Sequence, residues 1–183
     1  MLVVPGDEQL PVAAARAGDA AAWDALFRRY QLPLYVYVFE LLHQEQAALD
    51  VVQETFINAT RHLGTLREDT NFGSWLFGIA HQKCAQHWRR NRREEPLDDS
   101  LLEQPDDTPL PADLLVRAEQ EEELMNLLNQ LTEAHRSVLL LHFLEGFSLE
   151  EIAGITSVGI GTVKSRLHYA KKSLRELITE RTT

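Results

Sequence analysis

The chain has 183 residues, 44% of them hydrophobic, and a formal net charge of −10, which suits one large or two small folded domains. The single cysteine, Cys84, excludes an internal disulfide framework and indicates a reducing compartment. No apolar run reaches the roughly 18 residues that a membrane span needs, and the N-terminal MLVVPGDEQL lacks the pattern of a secretion signal. We therefore expect a cytoplasmic protein without membrane insertion.

Helical patterns begin early in the chain. Residues 1–17 are interpreted as a lead, in which Pro5 and Pro11 discourage a helix. Asp19 is predicted to cap the first helix, and Pro33 to break or restart it. The apolar run that follows, LYVYVFELL, would also suit a strand, but its helical spacing and its helical neighbours favour a helix.

A further amphipathic helix is predicted from Glu45 to Leu63, closed by Gly64. Its buried face is expected to consist of Ala48, Val51, Val52, Phe56 and Ile57. Its solvent face is expected to consist of Asp50, Gln53, Glu54 and Asn58.

The next helix, predicted from Gly73 to Arg93, changes character along its length. Its start is aromatic and apolar, and from the residues alone Trp75 and Phe77 suit the core better than a base-stacking platform. Its basic end, with Trp88 interleaved, suits a track for nucleic-acid phosphates. The alternative is a solvated helix end, whose cations are favoured by the helix dipole.

The acidic charge is concentrated between Glu94 and Asp113. This stretch holds eight acidic residues and four prolines and no basic residue, and without those eight charges the net charge of −10 falls to about −2. Such a composition predicts an extended linker. The acids serve solubility or, as an alternative, compete with nucleic acid for a basic groove. Because the acidic charge is concentrated here and basic patches remain elsewhere, the net charge does not argue against DNA binding.

A helix-turn-helix is predicted from Ser148 to Arg175. Ser148 and Glu151 form a capping box, the run 156–159 supplies the turn, and no acidic residue lies between Ile152 and Arg175. The second helix has apolar residues at steps of three or four and, opposite them, small residues followed by long polar ones, as in a helix that enters a major groove. The alternative is an ordinary helical hairpin with a solvated basic face.

These patterns together predict an all-α fold of two small helical domains. The expected divisions are a lead at 1–17, a helical domain at 18–95, an acidic proline-containing linker at 96–116 and a helix-turn-helix domain at 117–183. Helices in the second domain are expected from Leu114 to Asn129 and, after a Thr132 cap, as far as Leu144.

Two other classes of site are disfavoured by spacing. His81, Cys84 and His87 follow one another at steps of three, which places the first and last about 120° apart on a helix, so the three converge poorly on a metal ion. The sequence contains no glycine-rich phosphate loop and no nucleophile-and-base motif. We therefore expect no metal, no cofactor and no enzymatic activity.

Two segments resemble a known family. DVVQETF, followed by NFGSWLFGIA and a basic helix end, resembles the second conserved region of bacterial RNA polymerase sigma factors. LTEAHRSVLLLHFLEGFSLEEIAGITSVGIGTVKSRLHYAKKSLREL resembles their fourth conserved region. With these two regions and no others, over about 18–95 and 117–178, the chain resembles the small two-domain extracytoplasmic-function (ECF) group.

The resemblance implies a factor that binds core RNA polymerase, recognises two promoter elements and promotes promoter melting, with an anti-sigma factor as a further partner. It implies polymerase contacts at Asp50, Gln53 and Glu54. It implies recognition and melting of the promoter element nearer the start site, the proximal element, by Phe72, Ser74, Trp75, Gln82, Gln86, Arg89 and Arg90. It implies recognition of the more distant element, the distal element, by Thr162, Lys164, Ser165, Arg166, His168, Tyr169, Lys171, Lys172 and Arg175.

The main alternative is a response-regulator-like activator. Such a protein would use the helix-turn-helix as its only DNA module, bind palindromic sites as a dimer and form no stable complex with core polymerase. The VQETF helix and the basic helix before the linker favour the sigma factor.

Overall fold

A computed structural model describes residues 10–94 and 125–181, with side chains described at 10–90 and 125–179. Within these ranges the chain is helical and forms no strand, which confirms the predicted all-α class. The N-terminal half consists of α1 (Val12–Arg16), α2 (Ala20–Leu42), α3 (Glu45–His62) and α4 (Phe72–Glu94). The C-terminal half consists of α5 (Glu133–Leu139), α6 (Leu149–Thr156) and α7 (Ile160–Arg181). Residues 125–129 are also helical, and the predicted linker lies outside the described residues.

Two helix starts follow the local capping rules that the sequence predicted. The Asp19 carboxylate accepts hydrogen bonds from the Ala21 and Ala22 amides, at 2.8 and 3.4 Å. At the start of α6, the Ser148 hydroxyl accepts from the Glu151 amide at 3.2 Å, and the Glu151 carboxylate accepts from the Ser148 amide at 2.8 Å. The capping box is therefore complete, and it fixes where the first helix of the helix-turn-helix begins.

Both expectations about proline in this half were wrong. Pro11 does not prevent a helix but directly precedes α1, because a proline ahead of the first turn forfeits no helical hydrogen bond. Pro33 lies inside α2, which runs without interruption from Ala20 to Leu42. An internal proline costs about 3 kcal/mol. The burial of Tyr30, Leu34 and Tyr37 around it in the core offsets that cost.

Two details of α3 also differ from the prediction. Ile57, placed on the buried face, is 40% exposed. Gly64 does not close the helix in a left-handed conformation but lies in a 3₁₀ turn from Leu63 to Thr65. The helical pattern identified the element, but the edge of its apolar face depends on how far α2 and α4 cover it.

The two halves pack against each other and share one continuous core. Helix α4 lies along α6, where the Phe77 and Phe147 rings meet edge to face at 5.1 Å between centroids. Gly78 faces the same contact, and a Cβ built on it would lie 3.8 Å from the Ile155 Cα. That distance is an ordinary van der Waals contact, so the two backbones lie close together here with room for a methyl group on residue 78.

Arg136 of α5 fastens the halves together at a second point. Its guanidinium donates to the Glu40 carbonyl at 3.0 Å and to His43 Nε2, both at the C-terminal end of α2. It also donates to three carbonyls of its own half, those of Leu128, Asn129 and Leu131. A buried arginine that satisfies helix-end carbonyls on both sides gives the interface a defined geometry.

Candidate nucleic-acid interface

The face expected to contact the distal element is built by the turn and second helix of the helix-turn-helix. Ser157 ends α6 in a left-handed conformation, with φ 54°, and Ile160 begins α7 three residues later. Val163, Leu167 and Ala170 of α7 are buried against the C-terminal core. Burial of that side leaves the opposite side of α7 exposed, and the residues exposed there are Thr162, Lys164, Ser165, His168, Tyr169 and Lys172.

Three residues assigned to the same element have other surroundings. The Lys171 ammonium lies over the Phe143 ring, 4.9 Å from its centroid, and with Arg175 it borders an apolar groove. Arg166 is half-buried on the side facing α4, where its charge helps lower the pKa of His81. Lys171 and Arg175 therefore lie at the flank of the helix, and Arg166 lies at the border between the two halves.

The face expected to contact the proximal element is built by α4 and the loop before it. Gln82, Gln86, Arg89 and Arg90 are exposed, whereas Ser74 and Trp75 are half-buried. Phe72 does not fit a role in contacting DNA, because its side chain is 0% exposed. Its ring packs 5.4 Å from that of Tyr30 and 5.9 Å from that of Trp75, so it supports Trp75 from beneath.

A cleft of about 890 Å³ lies in front of this face. One wall is formed by the loop 65–71 and by α4, including Ser74, Trp75 and Gln82. The other wall is α6, which contributes Glu150 and Glu151. Three of the residues expected to contact the proximal element, namely Ser74, Trp75 and Gln82, therefore lie across the cleft from two glutamates of α6.

Two titratable residues of α4, His81 and Cys84, are mostly or fully buried in the protein core. The Tyr37 hydroxyl and His81 Nδ1 share a hydrogen bond of 2.8 Å. Burial, together with the charge of Arg166, lowers the pKa of His81 to about 4. Burial raises the pKa of the Cys84 thiol to about 12. Both groups are therefore neutral near pH 7, and their role here is in packing.

The expected polymerase-docking residues lie on the outer side of α3. Asp50, Gln53 and Glu54 are all exposed. Glu54 is also engaged within the domain, because its carboxylate accepts from the Lys83 ammonium of α4 at 2.6 Å. Leu49, at 46% exposed, joins Ile57 in giving this side an apolar component.

Glu145 is a residue at the junction that the sequence did not single out. It follows a π-helical turn, Leu140–Leu144, and is 8% exposed, with Oε1 lacking a hydrogen-bond partner among the described residues. Burial raises the pKa of its carboxyl group to about 8, and its charge contributes to a raised pKa of Tyr37 across the junction. The sequence offered one signal, a glutamate directly after the apolar run VLLLHFL.

Comparison with known proteins decides the family. The family model for Sigma-70 region 2 matches residues 26–94, and that for Sigma-70, region 4 matches residues 121–174. The RNA polymerase sigma-H factor of Pseudomonas aeruginosa is 34% identical, over 98% of this chain and 100% of its own length. The ECF RNA polymerase sigma factor SigE of Mycolicibacterium smegmatis is 31% identical, over 97% of this chain and 71% of its own. The chain belongs to the ECF group of RNA polymerase sigma factors.

Two solved structures share the fold. CnrH, in complex with the cytosolic domain of CnrY, matches with a TM-score of 0.68 over 94% of this chain and 97% of its own, at 24% identity. RpoE of Bartonella quintana, in complex with the anti-sigma factor NepR, matches with a TM-score of 0.65 over 85% of this chain and 97% of its own, at 24% identity.

As an ECF sigma factor, the chain acts in transcription initiation, with core RNA polymerase and promoter DNA as its partners. Among the described residues, no helix combines the length and the apolar character needed to cross a bilayer.

Proposed function

We propose that this ECF sigma factor recognises two promoter elements with two different helices and assists melting at the proximal one. The observation that carries the proposal is that α4 and α7 each expose polar and basic residues on the side away from the core. On α7, Ser165 and His168 would meet base edges in a major groove. On α4, Arg89 and Arg90 would hold phosphates while Trp75 stacks on a base of the opened strand.

We further propose that core polymerase docks on the outer side of α3. Asp50 and Gln53 are exposed there and engage no residue of another helix in the bonds described, so they are available to a partner. Glu54 would take part while keeping its bond to Lys83. The apolar area of Leu49 and Ile57 beside these polar groups suits a protein surface better than nucleic acid.

The factor is proposed to act in the cytoplasm without catalytic activity of its own. An anti-sigma factor is proposed as a further partner, because a sigma factor of the same fold was solved with one. A stable complex of this chain with core polymerase would not be expected of a response-regulator-like activator.

The experiment that tests the function is transcription of sheared genomic DNA from the source organism by core polymerase, with and without the purified chain. Mapping of RNA 5′ ends should reveal new start sites preceded by two shared sequence elements. No new start sites, together with no co-elution with core polymerase, would contradict the proposal.

The docking surface is tested with Asp50→Arg and Glu54→Gln. Asp50→Arg should weaken the complex with core polymerase by about tenfold or more, as for a central interface residue. Glu54→Gln is preferred to charge reversal, because an arginine there would leave Lys83, 14% exposed, facing a like charge. Asp24→Arg, the same reversal on an exposed part of α2, is the matched control and should bind as the wild type does.

A further inference from the structure

The helix α1 lies ahead of the segment that matches Sigma-70 region 2, which begins at residue 26. It is nevertheless part of the core, because Val12 is 0% and Ala15 3% exposed where α1 packs on α2. Arg16, the last residue of α1, therefore extends from a fixed point.

The Arg16 guanidinium reaches across to the loop before α4. Its Nη2 lies 2.6 Å from Asp69 Oδ1 and donates to the Leu66 carbonyl at 3.3 Å. Leu66 begins the irregular stretch 66–68 between the two 3₁₀ turns that lead into α4, and Asp69 begins the second of these turns. A planar guanidinium that holds a carbonyl and a carboxylate together limits the shapes this stretch can adopt.

Local bonds hold the remainder of the loop. The Asn71 amide side chain donates to the Glu68 carboxylate at 3.1 Å, and the Ser74 hydroxyl donates to the Asn71 carbonyl at 3.1 Å. On its other side the loop lines the cleft in front of α4, to which Arg67 and Asn71 both contribute. The position of these two side chains in the cleft therefore depends on the loop that Arg16 fastens.

Charge gives Arg16 a second effect. Glu68 and Asp69 are acidic, and they lie in the loop that would approach a DNA strand entering the cleft. A carboxylate there would repel phosphates, whereas Asp69 paired with Arg16 is neutralised. The pair itself is partly exposed, at 34% and 38%, so it adds little to the stability of the fold.

We infer that Arg16 is a positioning residue for promoter opening, which holds the loop 66–71 so that Arg67 and Asn71 face the opened strand and which neutralises Asp69 beside it. The inference rests on the proposed function, since it assigns α1 to the same proximal site. It adds a residue from outside the matched family segment to that site.

The test uses holoenzyme and a single-stranded oligonucleotide carrying the non-template proximal element, taken from the mapped start sites. Arg16→Ala should weaken binding of this strand about twofold to fivefold, the range expected when one exposed but oriented ion pair is lost. Binding of duplex DNA carrying only the distal element should not change, and neither should the melting temperature of the free chain. Arg16→Gln, which keeps a donor without the charge, should give a smaller loss and serves as the second variant if Arg16→Ala folds poorly.

The matched control is Arg28→Ala. It removes the same side chain from an exposed pair, Arg28 with Asp24 at 2.9 Å, within a single helix. Adding Asp69→Asn to Arg16→Ala should recover part of the lost binding, because it removes the unpaired carboxylate without restoring the loop.

Three outcomes would overturn the inference. The first is equal binding by Arg16→Ala and Arg28→Ala, and the second is an equal loss on both DNA elements together with a lower melting temperature. The third is a wild-type holoenzyme that binds no proximal strand, which removes the proposed melting function and the positioning role with it. In the first two outcomes the wild type still binds, so they leave the proposed function standing.

Discussion

The two helices that we propose to contact the promoter, α4 and α7, differ in what lies in front of them. In the structure the two halves pack against each other, which we call the closed arrangement. The exposed side of α7, with Ser165 and His168, faces outward in this arrangement. The corresponding side of α4, with Ser74 and Trp75, faces the cleft whose far wall is α6. If both helices contact DNA as proposed, α7 can do so in this arrangement, whereas α4 requires the two halves to separate.

The difference implies that recognition of the proximal element requires core polymerase, whereas recognition of the distal element does not. A free chain in the closed arrangement would still expose its distal-element helix but would bind the proximal element poorly. Polymerase that docks on α3 and holds the halves apart would uncover α4. Each of the following changes is expected to alter one side of this contrast.

The largest effect is expected from pH acting through Glu145. Burial raises the pKa of this carboxyl to about 8, against an ordinary value of 4.5, so closure takes up a proton between these values. The closed form is therefore favoured as pH falls. The ratio of closed to open chains decreases about tenfold for each pH unit as pH rises towards 8. Below pH 6.5 the lowered pKa of His81 acts in the opposite direction, so the informative window is pH 6.5 to 8.

The measurement for Glu145 is energy transfer between dyes at Thr60→Cys in α3 and Asn126→Cys in the C-terminal half. Cys84, being buried, does not compete for the label. The efficiency of energy transfer in the wild type should fall as pH rises from 6.5 to 8, whereas in Glu145→Gln it should not change with pH. If energy transfer in the wild type depended on pH as little as in Glu145→Gln, closure would not bury this carboxyl group.

A second large effect is expected from Phe147→Ala, which removes an aromatic contact between the halves. Loss of the ring against Phe77 should cost the closed form about 1 to 3 kcal/mol. The free chain should then bind the proximal single strand about tenfold more tightly, with distal binding unchanged. Phe143→Ala is the control, because that ring is 53% exposed and contacts only its own half in the ring and charge contacts described. Equal affinities of the two variants for the proximal strand would contradict the idea that closure covers α4.

On the uncovered helix α7, His168→Ala should change which base is preferred in the distal element. A lost base contact costs about 1 to 3 kcal/mol and relaxes the choice at one base pair. The full chain with core polymerase would be tested on a library of single-base variants of the distal element. A uniform loss on every variant would mean that His168 does not face the bases.

The smallest effect is expected from Lys172→Ala, further along the same exposed side. This side chain should contact a phosphate, so its loss should weaken all sequences similarly, by about 1 kcal/mol or less, and reduce the salt dependence by roughly one ion. Lys172 suits this test better than Lys171, whose ammonium also packs on Phe143. A shift in the preferred base on replacing Lys172 would show that Lys172 contacts a base and not a phosphate.

The sequence predicted correctly those features that depend on residues close together in the chain. The capping box of Ser148 and Glu151 and the cap at Asp19 need only neighbouring residues, and both were predicted correctly. The uninterrupted helix through Pro33 and the exposure of Ile57 depend on packing against other helices, and both were missed.

The site shows the same limit. The exposed side of α7 follows from its helical period, so its polar residues were found together. The burial of Phe72, the cleft facing Glu150 and the contacts of Arg136 all require knowledge of how residues far apart in sequence meet. No local pattern contains that information.

Arg136 has a consequence for the way the molecule comes apart on heating. Its guanidinium serves acceptors in both halves, namely Leu128, Asn129 and Leu131 in one and Glu40 and His43 in the other. Loss of the C-terminal half leaves the Glu40 carbonyl and His43 without their donor, and loss of the N-terminal half leaves an N–H group of Arg136 without its acceptors. The free energies of unfolding of the two halves are therefore coupled. The closed chain should therefore melt in a single calorimetric transition, which separates into two when Arg136→Lys, with three donors for five acceptors, removes part of that link.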